Sequence, residues 1–384
     1  MNKDTDLYLR QKYSVANYQL DTYNLFIERG LKLLKTNGML GYIIPSAWVA
    51  STYDVKVRRY IIEESSIKNF VISHKQTFKE ASVETCILVL ENTTPSNRFV
   101  VERWDIDQYE DYTIELNQIN ATTNYIFPVY ANKSITIVID KIKQVKGKLN
   151  DIADVVWGVK VYENGKGTPP QKGNESKTKK FHSLEKTKLT HRPLLGGGEI
   201  NRYQLNWKGG YIDYGKWLAA PRSPNWFEGE RIVVREVTSN GIIQATYING
   251  DYVFSNSVDG IKMKSETINI KFLLGLLNSK LISFYHLNTS PNAFKGTFPK
   301  MLLQDLRELP IPSIASKIEV EQHNQIIKHV DNLLKLNEEK STTKLPTQLS
   351  QIEGKISYCE TRINEIVYQL YELTDDEIKT IMGK

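Results

Sequence analysis

The stretch from Asp21 to Val49 constrains the fold more than any other, and it reads D-T-Y-N-L-F-I-E-R-G-L-K-L-L-K-T-N-G-M-L-G-Y-I-I-P-S-A-W-V. Its first half has apolar residues at helical spacing, and Asn37-Gly38 ends that helix because glycine accepts the left-handed conformation. A short apolar strand, 40–44, follows and is bounded by Pro45. A helix, a glycine turn and a buried strand in this order predict an α/β fold.

The segments around this stretch continue the alternation of helix and strand. We predict a second helix over 53–64 and strands over 67–73 and 83–91. Helical crossovers predict a largely parallel sheet, whereas the short loop between the last two strands predicts that one of them is antiparallel. Residues 93–145 are interpreted as a polar, aromatic connector that leads into a helix near 135–144.

From Leu149 to about Ser313 the pattern changes to short strands rich in Gly, Asn and Tyr. The segments 231–237 and 242–248, joined by T-S-N-G, predict a β-hairpin. The segment 163–188 is a long lysine-rich loop, and a loop of this length in a compact domain is usually functional or disordered.

Two helices are predicted after L-P-I-P at 309–312. The second has apolar residues at alternating spacings of four and three, namely Ile352, Ile356, Cys359, Ile363, Ile366, Leu370 and Leu373. This seam favours an antiparallel helical hairpin within the chain over a zipper between two chains, because the first helix already supplies a partner. The domain boundaries that follow are 1–130, 131–315 and 316–384.

The 384 residues carry a net charge of +6, which is distributed unevenly. Lys and Arg exceed Asp and Glu by nine in 146–315, whereas the two types balance in 1–145 and the acidic type exceeds by three in 316–384. A basic domain between neutral and acidic segments is typical of a polyanion binder, although a merely soluble lysine-rich face would look similar.

Several classes of protein are disfavoured. No apolar run approaches the roughly 18 residues of a membrane helix, and M-N-K-D-T-D-L lacks the core of a signal peptide. Cys86 and Cys359 sit in apolar patterns and are predicted to be buried free thiols, which fits a cytoplasmic protein. The six histidines lack the spacing of metal ligands, so no metal site is expected.

These motifs together resemble the TaqI-like (type IIG-like) adenine-specific DNA methyltransferases of restriction-modification systems. Asp21 to Trp48 resemble two consecutive motifs of that family, and 77–90 resemble its motif VIII loop and strand. The segments 192–203, 211–222, 231–235, 273–285 and 309–312 resemble the family's target-recognition domain, and 365–378 its C-terminal tail. The resemblance covers nearly the whole chain in the family's order.

The resemblance implies an α/β fold class: the C-terminal half of a Rossmann-like methyltransferase sheet, a mixed α+β target-recognition domain and a C-terminal helical hairpin. It also implies S-adenosylmethionine as cofactor of the complete enzyme. The family's glycine-rich donor turn and its N-P-P-Y/F tetrapeptide are not in this sequence, whose closest segments are Gly196-Gly197-Gly198 and T-P-P-Q at 168–171. We therefore expect no cofactor to bind to this chain alone.

Candidate site residues follow from the same resemblance and from the basic domain. Phe78 matches the motif VIII aromatic that stacks on the flipped base, with a core position as the alternative. Pro45 and Ser46 lie at the carboxyl end of a strand, where such sheets bind ligands, although a turn is the plain alternative. The basic side chains that suit DNA phosphates or base edges are Lys160, Lys166, Lys172, Lys177, Lys179, Lys180, Arg192, Arg202, Arg222, Lys295 and Lys300. Arg222 is the best single candidate for a DNA contact, and a structural ion pair is the alternative role for it. Arg231 and Arg235 could contact DNA or could pack beside the hairpin.

The predicted function is DNA target recognition within an adenine-N6 methyltransferase of a restriction-modification or phage-defence system, with the chain inactive by itself. The predicted partners are double-stranded DNA and either a separate methyltransferase subunit or a second copy that covers an exposed sheet edge. A non-catalytic specificity subunit and a truncated gene product are the alternatives.

Overall fold

A computed structural model describes residues 3–17, 20–49, 51, 53–72, 78, 85–105, 108–120, 124–129, 133–266, 268–290, 293 and 299–383. The chain divides into two compact units, 1–136 and 137–384. Both are mixed α/β structures with several sheets in total, and long helices end the second unit.

The first unit alternates helices with strands, as its sequence predicts. Its helices are α1 (Lys3–Lys12), α2 (Thr22–Leu33), α3 (Val55–Glu64), α4 (Leu116–Asn120) and the start of α5 (Lys133–Lys143). Its strands are β1 (Met39–Pro45), β2 (Ser66–Ile72), β3 (Thr85–Glu91), β4 (Arg98–Asp105) and β5 (Gln108–Glu115). The predicted helices at 53–64 and 135–144 are confirmed to within two residues at each end.

These five strands form one sheet in the order β1-β3-β2-β4-β5. The prediction of a largely parallel sheet is wrong: among the neighbouring pairs in the described residues, only β2 and β4 run parallel. The crossover through α3 does make β1 and β2 run in the same direction. However, β3 is inserted between them and is antiparallel to both. The antiparallel relation of β2 and β3 was predicted from their short connection.

The segment interpreted as a connector also differs from its prediction. Residues 98–115 form the antiparallel hairpin of β4 and β5, which extends the sheet beyond β2. The alternation of buried and exposed side chains explains why these residues form strands. Phe99 and Val101 on β4 and Ile114 on β5 are buried, whereas their neighbours along each strand are exposed or partly exposed. The many aromatic residues of this segment made the two-residue alternation of a strand hard to recognise in the sequence.

The core of the first unit is built around Trp48, which is fully buried. Its ring contacts Phe70 and Phe127 edge to face, with centroid distances of 5.9 Å and 5.3 Å. The guanidinium of buried Arg58 donates to the carbonyls of Trp48 and Asn124 at 2.5 Å and 2.8 Å. Burial also raises the pKa of the Cys86 thiol to about 12, and the prediction of two buried free cysteines is confirmed.

The second unit contains many short strands, again as predicted. The strands are β6 (Gly147–Lys148), β7 (Ala153–Trp157), β8 (His182–Ser183), β9 (His191–Leu195), β10 (Ile200–Asn201), β11 (Gln204–Leu205), β12 (Tyr211–Asp213), β13 (Arg231–Arg235), β14 (Ala245–Ile248), β15 (Val253–Phe254), β16 (Val258–Met263) and β17 (Pro310–Ile311). The helices are α6 (Leu149–Ile152), α7 (Ile270–Leu277), α8 (Lys280–Thr289), α9 (Leu303–Arg307), α10 (Lys317–Thr342), α11 (Pro346–Leu370) and α12 (Asp375–Ile381).

A four-stranded sheet in the order β14-β13-β16-β7 organises this unit. The predicted hairpin is confirmed as β13 paired antiparallel with β14, with Arg231 opposite Ile248. Side chains alternate between the two faces, so Ile232 and Ile261 join one core while Val233 and Val258 join another. A second sheet, in the order β15-β9-β12-β8, packs over the second of these cores.

The predicted helical hairpin is α10 and α11. Their antiparallel packing follows from two contacts, Lys340 with Glu353 near the turn at 2.8 Å and Gln322 with Gln369 at the far end at 3.1 Å. The seam faces inward, because its residues share a core with α7 and with the four-stranded sheet.

Candidate nucleic-acid interface

The lysine-rich loop, residues 163–188, is ordered and fixed to the fold. Gln171 is buried, and its amide nitrogen donates to the carbonyls of Val161 and Trp217, both at 2.9 Å. Its amide oxygen accepts from the backbone nitrogen of Glu163 at 3.0 Å. A buried side chain with all these bonds made holds the loop against the segments that follow β7 and β12.

The tip of this loop carries its charge outward. The backbone nitrogen of Lys172 donates to both carboxylate oxygens of Glu175, at 3.1 Å and 3.0 Å, and this backbone hydrogen bonding lowers the pKa of Glu175. That carboxylate is therefore occupied in closing the turn. The exposed lysines of the loop are Lys166, Lys172, Lys177, Lys179 and Lys180, together with Lys186 and Lys188.

An aromatic stack supports the end of the loop. The Tyr162 ring stacks on Phe181 and on His182, with centroid distances of 5.6 Å in both cases. Its hydroxyl lies 2.9 Å from Nδ1 of His182, and Lys180 Nζ lies 5.6 Å from the Phe181 ring centroid. Burial lowers the pKa of His182, with Lys179 adding to the effect, so His182 is mainly neutral at neutral pH.

Two of the predicted arginines are engaged in ion pairs inside the fold. Arg192 donates from Nε to Asp251 at 2.6 Å and lies 3.3 Å from Glu228, and its side chain is only 12% exposed. Arg202 binds the Glu360 carboxylate at 2.6 Å and the carbonyl of Asn278 at 2.6 Å. These partners lie 36 to 158 residues away in sequence, which is why the spacing of residues could not reveal them.

Arg231 is packed inside the unit, the second of the two possibilities its sequence left open. Its guanidinium donates to the carbonyls of Phe227 at 2.8 Å, Gly250 at 2.9 Å and Tyr252 at 3.0 Å, and also to that of Gly229. Burial lowers the pKa of Arg231 to about 10. Its role is to hold these turns together.

Arg222 is half-buried and is held by backbone rather than by an ion pair. Its Nε donates to the carbonyls of Trp157 at 3.1 Å and Gly158 at 3.3 Å, and the guanidinium carbon lies 5.7 Å from the Trp157 ring centroid. The residue has a positive φ of 63°. The structural ion pair considered as its alternative is not formed within the described residues.

The remaining predicted residues are spread over both units. Lys160 pairs with Glu163 at 2.9 Å and Lys300 with Glu236 at 3.1 Å. Phe78 is 48% exposed in the first unit, where Ser46 is buried and opens a 3-10 turn after Pro45. Lys295 lies outside the described residues.

Trp157 and Gly158, which hold Arg222, were missed by sequence reasoning. Gly158 has a specific reason to be glycine, because an added Cβ would lie 2.0 Å from the carbonyl oxygen of Ser255. The available signal was the tryptophan-glycine pair at the end of the apolar run V-V-W-G-V.

The glycine cluster at 196–198 does not form a donor-binding turn. The backbone nitrogen of Gly196 already donates to Glu199 at 2.7 Å, and that of Gly197 donates to the Ser257 hydroxyl at 2.9 Å. The T-P-P-Q segment is likewise held by Gln171. The polar groups named in these two segments are therefore engaged in hydrogen bonds within the fold.

Within the described part of the chain, no helix is long and apolar enough to cross a membrane. In the same residues, no three His, Cys, Asp or Glu side chains come together as metal ligands.

Comparison with known proteins finds a similar protein family for part of each unit. Residues 192–311 match the TaqI-like C-terminal specificity domain, and residues 1–78 match the Eco57I restriction-modification methylase. These two regions are therefore similar to a DNA-specificity domain and to a restriction-modification methylase, respectively.

Two curated proteins show the relation along the sequence. A putative type II restriction enzyme and methyltransferase of Methanocaldococcus jannaschii is 28% identical over 368 residues, which are 92% of this chain and 29% of that protein. The type II restriction enzyme and methyltransferase RM.Eco57I of Escherichia coli is 31% identical over 156 residues, 40% of this chain and 14% of that protein. The chain therefore spans less than a third of the length of either relative.

The fold has a solved counterpart in the type IIL restriction-modification enzyme MmeI, whose structure was determined in complex with DNA. The match has a TM-score of 0.55 and 10% sequence identity, and it covers 95% of this chain and 51% of that one. At this identity the likeness concerns the fold alone.

Proposed function

We propose that this chain recognises the DNA target of an S-adenosylmethionine-dependent adenine-N6 methyltransferase in a restriction-modification or phage-defence system. The observation that carries the proposal is the similarity of residues 192–311 to the TaqI-like specificity domain, beside which the same unit holds a loop of exposed lysines. Lysine side chains suit DNA phosphates as point charges, and neutralising phosphates supplies most non-specific affinity for DNA. The exposed lysines position the duplex, and base edges select the site.

The first unit contributes the later half of a Rossmann-like methyltransferase sheet in this proposal. Methylation of an adenine amine requires the base to leave the duplex and stack in a pocket. Phe78 is the residue assigned to that stacking, supported by its resemblance to the motif VIII aromatic and by its exposure. An aromatic face is worth roughly 1–3 kcal/mol per stacked base.

Residues 1–384 alone are proposed not to transfer a methyl group. The donor turn and the N-P-P-Y tetrapeptide are not in this sequence, and the segments that most resemble them are occupied by internal hydrogen bonds. The complete reaction therefore needs these two elements from another polypeptide segment.

The test separates DNA binding from methyl transfer. The purified chain should shift duplex DNA in a mobility assay. It should not transfer the tritium-labelled methyl group of S-adenosylmethionine to that DNA. Adding a chain that carries the donor turn and N-P-P-Y should label adenine N6. Stoichiometric binding of S-adenosylmethionine and methylation by this chain alone would contradict the proposal of inactivity. Binding of DNA without methylation under any complementation would favour a non-catalytic specificity subunit.

The exposed edge of the first sheet supports a protein partner. β1 is an edge strand within the described residues, and its Met39 and Ile43 are 59% and 53% exposed. Phe26 and Leu33 on α2 are exposed as well. An apolar edge strand is a template for pairing with another strand, here from a methyltransferase subunit or from a second copy.

Light scattering of the purified chain distinguishes these partners. A dimer that Ile43→Lys dissociates indicates a second copy at this edge. A wild-type chain that is monomeric and binds a donor-carrying chain only when Ile43 is intact indicates a separate subunit. A clean monomer that binds neither would remove the proposed interface.

A further inference from the structure

Two arginines lie at the same end of the sheet β14-β13-β16-β7. Gly158, just after β7, donates from its backbone nitrogen to the carbonyl of Val258 at 3.1 Å, and Val258 is paired with Arg235 on β13. Arg222 is fixed to the carbonyl of that same Gly158. Since neighbouring strands are about 4.8 Å apart, the two anchoring points are separated by about 10 Å.

The guanidinium of Arg222 is held in place by the fold, but only some of its hydrogen-bond donors are bonded within the described residues. Its Nε is fixed by the carbonyls of Trp157 and Gly158, and the Trp157 ring lies beside it. Its two terminal nitrogens make no hydrogen bond or ion pair within the described residues. They are therefore the pair of donors that remains available to a bound molecule.

Arg235 is similarly available at its end of β13. Its backbone is held by pairing with Val258 and by a hydrogen bond from its nitrogen to the carbonyl of Gln244 at 2.9 Å. Its side chain packs beside Gly197, where an added Cβ would lie 3.3 Å from the Arg235 Cγ. The described residues supply no hydrogen-bond or ion-pair partner to its guanidinium.

The acidic groups next to these arginines do not offset their charge. Glu236 is paired with Lys300 at 3.1 Å. Asp259 is buried, and its burial together with nearby Glu236 raises its pKa to about 8, so it is mainly uncharged at neutral pH. By contrast, the guanidinium groups of Arg192, Arg202 and Arg231 are bound to carboxylates or carbonyls of the fold.

We propose that Arg222 and Arg235 read guanine bases, and that the DNA target of this chain contains a guanine for each of them. This inference rests on the proposed function. A planar guanidinium with two free donors matches guanine O6 and N7 in the major groove, which is the commonest specific contact between protein and DNA. In this arrangement the loop lysines hold phosphates, and the sheet end supplies sequence discrimination.

The test selects bound duplexes from a pool with a randomised core, using the full chain and the variants Arg222→Lys and Arg235→Lys. Lysine keeps the charge but loses the planar fork, so it separates base reading from phosphate contact. We expect wild type to enrich a motif with two guanines a few positions apart. Each variant should lose preference at one of them by roughly 10- to 100-fold.

Lys179→Gln on the lysine-rich loop is the matched control, and it should weaken binding to all sequences while leaving the motif unchanged. Variants that enrich the wild-type motif unchanged would overturn the assignment of the two arginines and leave the proposed function standing. A wild-type chain that binds DNA without enriching any sequence would overturn both. If Arg222→Lys does not fold, as judged by thermal unfolding, the outcome rests on Arg235→Lys, because no hydrogen bond of that side chain is lost from the described fold.

Discussion

Asp259 on β16 is a buried carboxyl group. Its Oδ1 has no hydrogen-bond partner within the described residues, and it shares a core face with Trp157 and Val234, its neighbours in the sheet. Burial and nearby Glu236 raise its pKa to about 8, while Arg307 acts in the opposite direction. Because the folded pKa lies above the ordinary value of 3.8, the folded state holds a proton that the unfolded state releases between those two values.

Because the pKa of Asp259 is raised in the folded state, the stability of the protein should depend on pH. The contribution of Asp259 to stability should fall as pH rises from about 4 to about 8 and stay constant above that range. Asp259→Asn removes the ionisation, so the free energy of unfolding of the variant should exceed that of wild type by roughly 1–3 kcal/mol near pH 8. Urea unfolding at several pH values measures the difference. A difference that does not grow between pH 5 and 8 would show that the carboxyl ionises without cost.

At the scale of single residues, the sequence located the basic side chains of the second unit but did not predict their roles. The sequence singled out Arg222 and left packing open for Arg231 and Arg235, but it did not separate Arg192 and Arg202 from the DNA-binding candidates. What separates them is the partner that folding brings close, such as Asp251 for Arg192 or Glu360 for Arg202. Such partners depend on contacts across tens of residues, which local patterns do not encode.

At the scale of elements, helix α7 lies close against helix α10 at a glycine. A Cβ added at Gly275 on α7 would lie 2.5 Å from Cγ2 of Ile326 and 3.3 Å from Cγ2 of Val330, both on α10. Gly354 on α11 offers a contrast, because nothing lies within 4 Å of a Cβ added there.

Substituting these two glycines by alanine should have opposite effects. Gly275→Ala forces α7 and α10 apart and should lower the free energy of unfolding by about 1–3 kcal/mol. Gly354→Ala should raise it by up to about 1 kcal/mol, since alanine is the better helix former and meets no neighbour. Chemical denaturation followed by helical circular dichroism compares them. Equal effects of the two substitutions would mean that α7 and α10 have room to adjust.

Elements were predicted from the sequence better than their arrangement. Helical spacing located α10 and α11, and the seam through Cys359, Ile363 and Ile366 correctly favoured packing within the chain. The order β1-β3-β2 was not predictable, because the choice of neighbours in a sheet depends on which strand enters between two others. Loop length gives only the direction of the following strand.

For the whole molecule, the main prediction concerns salt. If exposed loop lysines contact phosphates, the logarithm of the binding constant should fall linearly with the logarithm of salt concentration, with a slope of about −0.9 per contacted phosphate. Replacing both Lys179 and Lys180 by Gln should make that slope less steep by about 2. Fluorescence anisotropy on a duplex at several salt concentrations measures the slope. Lys340→Gln on α10, whose cation already pairs with Glu353, is the control and should leave the slope unchanged.

The shared core of α7, α10 and α11 limits how specificity could be exchanged between relatives. Ile326, Val330 and Ile363 complete the same apolar core as Leu273 and Leu274, and Arg202 is bonded to Glu360 across that boundary. A transplanted segment that ended at residue 311 would leave this core open and a carboxylate unpaired. Under the proposed function, a segment that transfers a new DNA target would therefore need to include the helical hairpin, because the hairpin completes the core of the domain.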